Sequence, residues 1–137
     1  MNIKESLSFD DVLLEPRYSE IESRAEVDIS CDLKSGLKLV LPVIASPMDS
    51  IITSEMLAKL HDYGGVGIAH RYNTIEEQVN LVSKSMCDDY PKNIGAAIGV
   101  TGDFLERAAA LIATGINVIC IDTAHGHHIM MRRALEV

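Results

Sequence analysis

The sequence predicts an α/β chain built on a parallel sheet, and three observations carry that expectation. Short apolar runs alternate with longer stretches whose apolar residues recur at helical spacing. Each apolar run gives way to a polar or glycine-containing turn. The runs also lack the in-and-out alternation of a half-wetted strand, as expected where both faces of a parallel strand are covered. Repeated β-α alternation of this kind implies a parallel sheet with right-handed crossovers.

The first 38 residues read as an N-terminal extension, and residues 39–137 as about four β/α units of one domain. Within the extension, Val27, Ile29, Cys31 and Leu33 alternate with Asp28, Ser30 and Asp32, which predicts a strand with one wet face. The core strands are then Val43-Ile44-Ala45, Val66-Gly67-Ile68-Ala69, Ile94 to Val100, and Val118 to Ile121. A first helix is expected from about Thr53 to Tyr63, with Met56, Leu57 and Leu60 on one face and Gly64 as its stop. The second opens on Thr74-Ile75-Glu76-Glu77, a capping box with Thr74 at the N-cap and Glu77 at N3. Ile75, Val79, Val82 and Met86 continue it as a helical stripe. A third begins at Asp103, buries Leu105, Ala108, Leu111 and Ile112, and ends with Gly115 at C′. A fourth opens near His128. Asp88-Asp89-Tyr90-Pro91-Lys92 reads as a short helix-to-strand connection.

Composition narrows the function. Hydrophobic residues make up 47% and charged residues 23% of the 137, and the formal net charge is −8. That excess of acid disfavours nonspecific nucleic-acid binding, which needs a basic surface. A phosphorylated small molecule is still admissible, because backbone N–H groups can hold a phosphate. The longest run free of charged residues, Ala108 to Ile121, falls short of the roughly 18–20 apolar residues of a membrane span. Met1-Asn2-Ile3-Lys4-Glu5 does not lead into a signal-peptide pattern. Cys31, Cys87 and Cys120 form neither a CxxC pair nor an even set, so a reducing, cytoplasmic setting is expected, with Cys120 a buried thiol.

Active sites of parallel α/β folds form at the C-terminal strand ends. The turns there are Ser46-Pro47-Met48-Asp49-Ser50, His70-Arg71, Thr101-Gly102-Asp103, and Asp122-Thr123-Ala124-His125-Gly126-His127-His128. All four would face the same side of the sheet. The dinucleotide fingerprint G-x-G-x-x-G is absent, since Gly65-Val66-Gly67 continues to His70. The histidines at 125, 127 and 128 lack a carboxylate or cysteine at ligand spacing, so no metal site is expected. Asp122 suits either a strand-end hydrogen bonder or helix N-cap, or an ionised acceptor for a ribose hydroxyl. Ser46 suits a turn residue or a ligand contact. Met48, off any helical stripe, suits ligand packing.

The sequence resembles the IMP dehydrogenase / GMP reductase family along nearly its whole length. The pieces that carry the resemblance are Ser8-Phe9-Asp10-Asp11-Val12-Leu13-Leu14-Glu15-Pro16, Ala45-Ser46-Pro47-Met48-Asp49-Ser50 and Gly64-Gly65-Val66-Gly67-Ile68-Ala69-His70-Arg71. Gly95-Ala96-Ala97-Ile98-Gly99-Val100 and Ile121-Asp122-Thr123-Ala124-His125-Gly126-His127 follow in order, the last closer to bacterial-type IMP dehydrogenase. The resemblance implies a TIM (β/α)₈-type barrel, of which about the first four β/α units and an N-terminal extension are present here. A complete barrel needs about 250 residues.

It further implies a cytoplasmic homotetramer, NAD-linked oxidation of IMP to XMP in guanine nucleotide synthesis, and a K⁺ requirement. Carried over by position, Ser46 and Met48 match contacts to the IMP nucleotide. Asp122, Thr123 and Ala124 match contacts to the ribose and nicotinamide end of NAD, and Thr101 lies toward the adenosine side. The tandem CBS module of most family dehydrogenases has no room between Met86 and Ile94. The family's Gly-Ser-x-Cys catalytic loop, flap arginine, phosphate turns and most K⁺ ligands do not occur in the 137 residues. No catalytic residue is therefore assigned, and the chain is expected to be inactive alone. Two other readings stay open. One is a GMP reductase-like enzyme. The other is a noncatalytic half-barrel module, whose free strand edges would pair with a second copy or a complementary C-terminal half.

Overall fold

The computed structural model describes residues 4–33, 36–86 and 93–137. Cys87 and the expected connection 88–92 lie outside the described residues. The core is a four-stranded parallel sheet in the order β3 (Ile44–Ala45), β4 (Val66–Ala69), β5 (Ile94–Ile98), β6 (Val118–Ile121). A two-stranded antiparallel ladder, β1 (Cys31–Asp32) with β2 (Lys38–Leu39), precedes it. The helices among the described residues are α1 (Ser54–Asp62), α2 (Ile75–Ser85), α3 (Phe104–Ala113) and α4 (Ile129–Leu135).

Register assigns the two sheet faces. Ala69, Ala96 and Ile119 stand side by side on one face, as do Ile98 and Ile121. They pack with Leu57 of α1, Val82 of α2 and Leu111 of α3 into the main core. Val66, Ile68 and Ala97 occupy the opposite face, where Leu39 of β2 covers them with Leu37, Val118 and Cys120 alongside. Glycine permits the close approaches on both faces. A Cβ on Gly67 would lie 2.6 Å from Leu57 Cδ2, and one on Gly95 would overlap Ile68 Cδ1. The central strands β4 and β5 are fully buried, whereas the edge strands β3 and β6 are partly exposed. Two-sided burial thus holds for the middle of the sheet only.

Local chemistry sets the helix ends. The Thr53 hydroxyl caps α1 by accepting from Met56 N (3.2 Å). The capping box of α2 is formed: Thr74 N donates to Glu77 Oε2 (2.8 Å), and Glu77 N donates to Thr74 Oγ1 (3.2 Å). The Thr74 N–H and then the Thr74 hydroxyl, both donating to Glu77 Oε2, hold the Glu77 carboxyl below the usual carboxylate range. Gly64 and Gly115 end α1 and α3 with φ of +80° and +92°, a region that disfavours side chains. His128 caps α4 through Nδ1.

Three expectations need correction. The strand foreseen across Val27 to Leu33 reduces to Cys31–Asp32, because Val27, Ile29 and Leu33 have no apolar surface to cover them and stay exposed. The third apolar run stops pairing at Ile98, releasing Gly99 and Val100 into the strand-end turn. On α3, Leu105 and Ile112 are exposed and Arg107 is buried with Leu111, so the inward stripe runs Phe104, Arg107, Ala108, Leu111. Met56 of α1 likewise faces outward.

Candidate functional site

The parallel order brings the ends of β4, β5 and β6 to one rim. There a cleft of about 290 Å³ is lined by Arg71, Gly99, Val100, Thr101, Asp103, Arg107, Asp122 and Thr123. Thr101, Asp122 and Thr123, anticipated from sequence, therefore share one pocket. Ala124 follows on the same turn but does not line it, and Ser46 and Met48 lie on the turn after β3, outside this cleft. The Ser46 and Met48 side chains are both exposed. Their turn is held by Met48 N donating to Ser46 O (2.8 Å) and by Ile51 N and Ile52 N donating to Met48 O.

Asp122 is fixed twice. Its N–H donates to Ile98 O (2.9 Å), extending the β5–β6 ladder. Its carboxylate accepts from Arg71 Nε through Oδ2 at 3.1 Å, and Arg71 Nη2 also reaches Asp122 O at 3.3 Å. The pair is about one third exposed on each side, so its worth to stability is about 0–1 kcal/mol. Its effect is to orient Asp122. Among the described residues no hydrogen bond to Oδ1 is formed, which leaves that oxygen as an acceptor at the cleft.

Across the cleft Asp103 accepts from Arg107 Nη2 at 2.7 Å. That bond is the main reason its carboxyl is held below the usual carboxylate range. Arg107 is buried, and Gln78 of α2 meets it from beneath. The cleft wall so contains two guanidinium groups and two carboxylates, close to balance in a strongly acidic chain.

Arg71, Gln78, Asp103 and Arg107 were not singled out from sequence as site residues. Arg71 and Asp103 lay in the strand-end turns, and a further signal existed for Gln78 and Arg107. Gln78 continues the stripe Ile75, Val82 and Arg107 continues Phe104, Leu111, so each is a polar residue at an inward helix position. Cys120, expected to be buried, is half-buried because it lies on the edge strand β6; loss of solvation, then the nearby Asp122 charge, still pushes its thiol pKa up, the opposite of an activated nucleophile. Cys31 and Cys120 are free thiols. The His125 ring lies 6.5 Å from that of His127 and 6.4 Å from that of His128, and among the described residues no three His, Cys, Asp or Glu side chains gather as a metal-ion cluster. Among the described residues no helix is long and apolar enough to cross a membrane.

Comparison with known proteins places the chain in a family. A model of the IMP dehydrogenase / GMP reductase domain matches residues 6–137. An inosine-5'-monophosphate dehydrogenase of Cryptosporidium parvum is 31% identical over 176 aligned positions, covering 98% of this chain and 43% of the relative. Those of Nitrosopumilus maritimus and Bacillus subtilis are 43% and 46% identical over 61% and 59% of the chain, and 18% and 16% of their own lengths. The chain thus spans less than half the length of the curated relatives it matches. With its match running almost end to end, the chain belongs to the IMP dehydrogenase / GMP reductase family.

Proposed function

We propose that this chain supplies part of the nucleotide site of an NAD-dependent IMP dehydrogenase. Its sheet would form four strands of a (β/α)₈ barrel in a single domain, and turnover would depend on residues it does not carry. The observation that supports this reading best is the convergence of Thr101, Asp122 and Thr123 on one strand-end cleft. The residues suit one end of a dinucleotide. A carboxylate held by Arg71, with Oδ1 free to accept, is what a ribose hydroxyl requires. A cleft of about 290 Å³ is near the lower bound of about 300 Å³ for small-molecule pockets, so it would hold a portion of NAD.

When bound, NAD supplies a hydride acceptor. This chain's part is to bind and orient. Asp122 would accept from the ribose, Thr101 and Thr123 would add hydroxyl contacts, and Ala124 would border the nicotinamide end. Ser46 and Met48, one turn along the rim, would meet the IMP nucleotide. The K⁺ implied by the resemblance would take most of its ligands from residues that these 137 do not include. Homotetramer formation and a cytoplasmic setting belong to the same proposal.

The test is to incubate the 137-residue chain with IMP and NAD while recording absorbance at the NADH band, and to titrate each ligand separately. The expected result is binding without NADH. K⁺-dependent turnover would contradict the dependence on other residues. Binding of GMP and NADPH in preference to IMP and NAD would favour the reductase.

A further inference from the structure

We propose that Gln78, behind the cleft, and Arg107, on its wall, are positioning residues: a relay that sets the spacing of the cleft walls. The proposal rests on the cleft being the dinucleotide site. Gln78 is fully buried. Its Nε2 donates to Ala69 O (3.3 Å) and Ala97 O (2.9 Å), and its Oε1 accepts from Arg107 Nη1 (2.8 Å). Carbonyls only accept and guanidinium only donates, so these partners fix the orientation of the amide. Arg107 Nη2 donates on to Asn73 O (3.0 Å) and Asp103 Oδ2 (2.7 Å).

The placement of those acceptors carries the argument. Ala69 ends β4, two residues before Arg71, and Ala97 is the penultimate residue of β5, two residues before Gly99. Asp103 is the N-cap residue of α3. One side chain therefore ties together two adjacent strand ends, and a second ties that knot to the helix that starts at the cleft. Arg107 is itself only 6% exposed, and burying a guanidinium carries a desolvation cost that a packed apolar side chain would avoid. A relay that only stabilised would be replaceable by apolar residues. One that holds Arg71, Thr101 and Asp122 in register would not, because small displacements at a binding site cost affinity steeply.

The experiment compares Gln78→Met, Arg107→Lys and a control, Val82→Ala, in the 137-residue chain. Val82 is a buried α2 residue that packs in the core without joining the relay. The readouts are NAD affinity by titration, melting temperature, and the ¹H–¹⁵N amide signals of Gly99, Thr101 and Asp122. Gln78→Met should weaken NAD binding about tenfold and shift all three amides in the ligand-free chain. Arg107→Lys, which keeps the charge but loses the fork, should weaken it less. Val82→Ala should lower the melting temperature with affinity within about twofold and cleft amides unmoved. Equal effects of Gln78→Met and Val82→Ala, or none from Gln78→Met, overturn the relay. If Gln78→Met does not fold, Arg107→Lys against Val82→Ala decides by the same criteria. Failure of the unaltered chain to bind NAD would instead sink the dinucleotide reading, and the amide shifts would still judge the relay.

Discussion

At the β4–β6 end of the rim, Asp122 is gripped by Arg71 and by the sheet ladder, and Asp103 is gripped by a buried arginine. Among the described residues, the turn after β3, carrying Ser46 and Met48, is held by hydrogen bonds along its own backbone and by Ile52 buried in the main core, with the Ser46 and Met48 side chains exposed. The first region is organised before any ligand arrives. The second sits on an edge strand of two paired residues, with Ile44 half exposed beside it. A rim built by parallel strands can thus be braced by side-chain ion pairs at one end and by backbone hydrogen bonds at the other. The difference follows from which strands are central and which are edges.

Predictions that separate the two ends begin with the largest effect. Leu111 is fully buried where α3 meets the sheet, so Leu111→Ala should cost about 2–5 kcal/mol in denaturant unfolding. Removal of the α2 cap, Thr74→Ala, should cost about 1 kcal/mol in the same measurement, because Glu77 N loses the hydroxyl that accepts from it.

The Asp103–Arg107 pair gives a smaller, pH-dependent effect. The Asp103 carboxyl is held below its unfolded value by the Arg107 hydrogen bond. The stabilisation is therefore present at pH above about 4, where the unfolded group is ionised, and fades as pH falls through the lower folded value. Melting curves of Asp103→Asn and the unaltered chain should differ at pH 7 and converge toward pH 2. Smallest of all in stability is Met48→Ala, which should stay within about 0.5 kcal/mol because Met48 is exposed. It should nevertheless weaken IMP binding; an unchanged IMP titration would remove Met48 from the proposed nucleotide contacts.

The sheet and helices were legible in the sequence because their signals are local. Thr74 with Glu77 announced a helix start, Gly64 and Gly115 announced ends, and the apolar runs announced strands. The expected strand at Val27 to Leu33 was misleading because alternation states a preference and supplies no partner; only Cys31 and Asp32 found one, in Leu39 and Lys38. Asp122 and Thr101 could be picked out as strand-end polar residues. Gln78 and Arg107 could not be given a role from sequence, since their partners lie across chain separations of 19 and 29 residues and include backbone carbonyls, which carry no residue signature.

The most direct measurement is the affinity of NAD for the unaltered chain and for Asp122→Ala, by titration calorimetry. Loss of one charge-assisted hydrogen bond is worth about 1.5–3 kcal/mol, roughly ten- to a hundredfold in affinity. Saturable binding to the unaltered chain and a loss of that size in the variant are expected, with little change in melting temperature because the Arg71 pair is about one third exposed and worth little to stability. Equal affinity in the two chains would contradict the assignment of the cleft to the dinucleotide.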